Sequence, residues 1–119
     1  MKWLRRRKQE LPVHRVEDET DLVEALGSAR GVLYKHSPSC WASTMAIRHI
    51  SGFIKTHPDI PVYMIDVIAN RSLSMEAAHR LQIHHESPQA IAIVDGEVVW
   101  SGSHWEVTTD ALTTAIGAT

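Results

Sequence analysis

The chain has 119 residues and a mass of 13.3 kDa, with 12 Lys and Arg set against 14 Asp and Glu for a net charge of −2. That length suits one domain with its own core and is too short for two of ordinary size. The charge balance excludes the general basic excess of a nucleic-acid binder, no apolar stretch reaches the roughly 18 residues of a membrane helix, and a single cysteine excludes an internal disulfide.

In chain order, the basic run Arg5 to Lys8 follows Trp3 and Leu4 and reads as part of a solvated tail over residues 1–11. A single domain is expected over 12–119. Pro12 to Val16 alternates apolar residues as a short strand does, and Glu19 to Ala29 places Leu22, Ala25 and Leu26 on one helical face. Gly31 to His36 reads as a strand with a buried middle. From Cys40 to His57 the apolar residues Ala42, Met45, Ala46, Ile50, Phe53 and Ile54 recur at spacings of three and four, which predicts an amphipathic helix stopped at His57-Pro58. Pro61 to Ile68 is a nearly continuous apolar run, as in a strand covered on both faces. Ser72 to Ile83 reads as a third helix. Gln89 to Gly102 reads as a hairpin around Asp95-Gly96, and Thr108 to Ile116 as a last helix with Thr108 as N-cap.

The order β-α-β-α-β-α-β-β-α predicts an α/β domain with a mixed central sheet of four to five strands covered by helices, and it resembles the thioredoxin-like fold. In that arrangement Cys40 stands at the start of the second helix, where free backbone N–H groups and the helix dipole stabilise an anion. A thiolate is such an anion, and it is the attacking species in disulfide exchange. Lys35 and His36 are candidates to add positive charge nearby. Ser43 stands three residues after Cys40, where a dithiol enzyme carries its resolving cysteine, and its hydroxyl is a candidate donor to the thiolate. Without that second thiol the chemistry is monothiol. Ser87-Pro88 precedes the fourth strand, a place compatible with a cis peptide facing the cysteine.

The residues YKHSPSC, the C-x-x-S-x-M-A run of Cys40 to Ala46, IDVIANRSLS, HESPQ and SHWEVT together resemble the YtxJ family of monothiol bacilliredoxins over roughly Glu19 to Ile116. The resemblance implies a cytoplasmic bacterial protein that removes the low-molecular-weight thiol bacillithiol from S-thiolated cytoplasmic proteins. It implies Cys40 as nucleophile, Ser43 at the resolving position and Pro88 as a cis-proline. Ser39, Trp41 and Ser87 are then candidate substrate contacts. The family pattern has Thr or Arg before the cysteine and a small residue or proline after it, whereas Ser39 and Trp41 flank it here.

By similarity to glutaredoxins, SGSHWEVT lies where the carboxylates of a thiol ligand bind. The N–H groups near Thr108, with His104 and Trp105, are candidates to hold the malate part of bacillithiol. No bound cofactor and no metal are expected: His84, His85 and Glu86 have no ligand-spaced partner, and bacillithiol is a co-substrate. A non-catalytic thioredoxin-fold module that senses redox state or binds a protein is the other class. Stoichiometric capture without turnover would separate it from the enzyme.

Overall fold

A computed structural model describes residues 11–117. The strand Arg30–His36, β2, is the centre of the architecture because its middle five residues are buried on both faces, so it must be covered from two sides. Five strands form one sheet in the order β1-β3-β2-β4-β5, with β1 at His14–Arg15, β3 at Val62–Asp66, β4 at Gln89–Val94 and β5 at Glu97–Ser103. β1 and β2 both run parallel to β3, while β4 runs antiparallel to β2 and β5 antiparallel to β4. The predicted order of elements holds, and the sheet has five strands.

Four helices cover it: α1 at Glu19–Leu26, α2 at Trp41–Thr56, α3 at Arg71–Leu81 and α4 at Thr109–Leu112, the last continuing as a π-helical turn over Thr113–Gly117. The alternation of β2 divides the core. Val32 and Tyr34 face Ala46, Ile50 and Phe53 of α2 with Leu112 and Ile116, whereas Leu33 joins Leu22 and Ala25 of α1 and Ala77 of α3. In β4, Ala90 and Ala92 lie on the α2 side and Ile91 and Ile93 on the other.

Local chemistry sets the ends. Asp18 caps α1 by accepting from the Asp21 N–H at 2.8 Å, and α1 ends at Leu26 with Gly27 as its C-cap, short of the expected run to Ala29. The two turn residues Asp95 and Gly96 have φ values of 52° and 76°, as a tight hairpin needs. Thr108 caps α4 by accepting from the Ala111 N–H. At the lower end of β2, Arg30 donates to the carbonyls of Ile116 and Gly117, tying the last helical turn to the central strand.

Candidate active site

Two loops meet at the upper end of β2. Lys35 of β2 is in register with Gln89 of β4, so the Ser37–Ser39 loop leaving β2 and the His84–Pro88 loop entering β4 lie side by side. Cys40 is the N-cap of α2, with extended backbone (φ −98°, ψ 130°) and a half-buried side chain. No side chain caps this helix and no acidic residue stands in its first turn. The first-turn amides are thus left to an anion, and the cysteine sulfur is the anion-forming group at the cap.

Ser43 is fully buried, and its Oγ accepts from the Ser37 N–H at 3.1 Å. Tyr34, on the same side of β2, has its hydroxyl 2.9 Å from His36 Nδ1. The described contacts place Ser43 as the anchor of the loop before the cysteine: it holds Ser37, Ser37 O accepts from Cys40 N at 3.1 Å, and the loop shape follows. Burial raises the Tyr34 hydroxyl pKa well above its usual range, so it stays protonated. His36 is held below its ordinary pKa, chiefly by desolvation, with Asp66 opposing and Arg15 reinforcing that shift.

Lys35 corrects an expectation. Proximity in sequence suggested a charge beside the thiol, but strand alternation sends its side chain to the other face of the sheet. There it is fully buried, and Nζ donates to the Ser74 carbonyl at 3.0 Å and lies 3.1 Å from His85 Nδ1. Burial lowers its pKa to about 8. His85 also lies 3.3 Å from Ser74 Oγ, so this buried group anchors the loop that carries Pro88.

The Ser87–Pro88 peptide is cis. Pro88 O accepts from His104 N at 2.9 Å, and His104 Nε2 lies 3.6 Å from Glu86. These bonds join the proline loop to a short 3-10 turn, His104–Glu106, that the sequence reading did not foresee. Ser103 and Glu106 close that turn by capping each other. Trp105 is 62% exposed and Trp41 70% exposed, so neither serves the core. Ser39 is exposed as well. Ser87 Oγ is buried and has no hydrogen-bond partner among the described residues.

Three of the amides near Thr108, among which an anion site is expected, are engaged within the fold. Thr109 N donates to His49 Nδ1 at 3.1 Å, Ala111 N to Thr108 Oγ1 at 3.1 Å, and Leu112 N to Thr108 O at 3.1 Å. They are already used to fasten and cap α4. His49 and Tyr34 were not singled out from the sequence, and His85 was weighed there only as a metal ligand and within HESPQ; for Tyr34 the signal was there, since it alternates with Lys35 onto the helix side bearing Cys40.

Among the described residues, no group of three or more His, Cys, Asp and Glu side chains is placed to hold a metal ion, and no helix is long and apolar enough to cross a membrane. A mixed sheet flanked by helices, with a lone thiol at the start of α2 beside a cis-proline loop, defines a thioredoxin-fold thiol redox protein. Solved structures agree in shape: a candidate oxidoreductase with a thioredoxin fold matches at a TM-score of 0.80 and 27% identity, covering 87% of this chain and 92% of that one. Mitochondrial thioredoxin 3 from Saccharomyces cerevisiae in its oxidised form matches at 0.71 and 16% identity over 90% and 95% of the two chains. A mutant thioredoxin from Halobacterium salinarum NRC-1 matches at 0.70 and 20% identity over 92% and 94%. The model of the family described as monothiol bacilliredoxin BrxC matches residues 12–112, and the chain belongs to that family.

Proposed function

We propose that this protein is a cytoplasmic monothiol disulfide exchanger that removes bacillithiol from protein cysteines. One observation carries the reading: the half-buried Cys40 caps α2 over uncapped amides, and the position one turn later is Ser43, so exchange has no internal second thiol to finish it. The Cys40 thiolate attacks the bacillithiol sulfur of a protein mixed disulfide. The protein–bacillithiol S–S bond breaks, the protein leaves as a thiolate, and a Cys40–bacillithiol disulfide forms. A second thiol then attacks the bacillithiol sulfur, releasing the Cys40 thiolate and a small disulfide. The net result is an exchange: one incoming thiol is consumed, the protein cysteine is freed, and the incoming thiol and bacillithiol leave joined in the small disulfide. In this reading Ser39, Trp41, Ser87, Pro88, His104 and Trp105 are the residues assigned to contact an extended mixed disulfide. Family membership supports thiol chemistry of this kind.

Mass spectrometry of a bacillithiol-modified client protein mixed with the reduced chain tests it. The adduct should move to Cys40 and the client should be freed, with several turnovers once excess bacillithiol is present; Cys40→Ser should leave the client modified. Capture of one equivalent without turnover would overturn the reading in favour of a sensing or binding module.

A further inference from the structure

A cavity of about 490 Å³ opens beside the Ser37–Ser39 loop, on the side away from Pro88. Leu11, Val13 and Arg15 line it near β1, Met64 and Asp66 on β3, His36 and Pro38 at the end of β2, and Ile47 on α2. Its volume falls in the range of small-molecule sites. Pro38 stands two residues before Cys40 and Ile47 seven residues after it, two turns along the same helical face, so the cavity lies against the segments that flank the thiol.

Its polar groups are few and distinct. Arg15 has no ion pair within 4 Å among the described residues. Asp66 is committed elsewhere: its Oδ1 accepts from the amides of Ile68 at 2.9 Å and Ala69 at 3.0 Å. His36 is half-buried, and its Nδ1 is occupied by Tyr34, which leaves Nε2 as its other ring nitrogen. The groups facing His36 are Tyr34 on its own strand, Arg15 on β1 and Asp66 on β3, and α2 adds only Ile47 to the lining.

We propose that this cavity binds the second thiol of the cycle, a small thiol bearing a carboxylate, with Arg15 holding the carboxylate and His36 taking the thiol proton. The inference rests on the monothiol cycle above. The incoming thiol gives its proton to His36 Nε2. Nδ1–H meanwhile donates to the Tyr34 oxygen, so the ring keeps its partner when Nε2 is protonated. The resulting thiolate attacks the disulfide on Cys40, and the Cys40 thiolate leaves. One S–S bond forms and one breaks.

The test loads Cys40 with the chromophore 5-thio-2-nitrobenzoate, so that it needs neither a client protein nor bacillithiol. Release rates per thiolate are measured with 3-mercaptopropionate and with 2-mercaptoethanol. The ratio of the carboxylated to the uncharged thiol should fall about tenfold in Arg15→Gln, the size of one lost charge-assisted hydrogen bond. An unchanged ratio overturns the site. An unchanged ratio with slower transfer from a thiolated client to Cys40 overturns it too, and assigns the cavity to the client. In His36→Asn and Tyr34→Phe, release should slow more at about pH 6.5 than at about pH 9.5, where a far larger fraction of the free thiol is ionised; a slowing equal at both overturns the proton role. If release discriminates as expected while no client adduct ever reaches Cys40, the function proposed above fails and the cavity assignment stands.

Discussion

Lys35 and His36 are neighbours at the end of one strand, yet they serve opposite sides of the molecule. His36 turns to the α2 side, half-buried, bonded to Tyr34 and open to the cavity beside the cysteine loop. Lys35 turns to the α1 and α3 side, fully enclosed, and supports the proline loop through Ser74 and His85. The two loops of the site are therefore braced independently, one from each face of the sheet. Distance along a chain does not measure distance to a thiol; the pleat does.

That division can be broken most severely at the sulfur itself. Cys40→Ser should abolish exchange, measured by client release, while leaving the melting temperature within a degree or two of the parent, because the residue is only half-buried and its side chain makes no cap bond. Next comes the Lys35 face. The amine has a lowered pKa in the folded protein, about 8 against an ordinary 10.5, so the unfolded chain holds more protons between those values. Stability should rise with pH across that window by on the order of 3 kcal/mol, and Lys35→Met should remove the slope, as urea melts at about pH 7.5 and about pH 10.5 would report.

Ser43→Ala probes the other face. It strips Ser37 N of its partner inside the site and should cost about 1–3 kcal/mol in urea melts, with slower exchange from a looser cysteine loop. Ser43→Cys would be the sharper contrast, restoring a thiol at that position and letting exchange end in an internal disulfide. A smaller effect belongs to the acid side: His36 and His85 both have lowered pKa values through burial, so stability is held above their ordinary titration range and lost as pH falls through it. His85→Asn should flatten part of that loss between about pH 7 and about pH 5 in thermal melts. The smallest change is expected for Trp41→Ala, within about 0.5 kcal/mol of the parent stability because the ring is 70% exposed, with its effect confined to exchange with protein substrates.

Much of the fold was legible because its signals are local. The three- and four-residue spacing of apolar residues marked α2, the apolar run marked β3, and Asp95-Gly96 marked the hairpin turn. Cys40 at the start of a helix followed from the same pattern. What escaped were features that depend on which residues meet across the sheet. The bond from Thr109 to His49 joins positions sixty residues apart, and nothing near either one announces it. The 3-10 turn after β5 is three residues long, too short for any periodicity. Lys35 was misplaced for a different reason: period-two alternation was available, but it was not applied beyond the apolar residues. Near Thr108, the sequence did not reveal that capping and the His49 bond would take up the amides of Thr109, Ala111 and Leu112.

Arg30 gives the molecule a polarity that matters when it is attached to something. Its bonds to the Ile116 and Gly117 carbonyls hold that end of the chain at the foot of β2, about 20 Å of strand away from the cysteine loop. Leu11, by contrast, lines the cavity beside that loop. A surface tether or a fluorescent label attached at the Gly117 position would leave the reactive pole facing outward, whereas the same label attached at the Leu11 position would stand in its doorway.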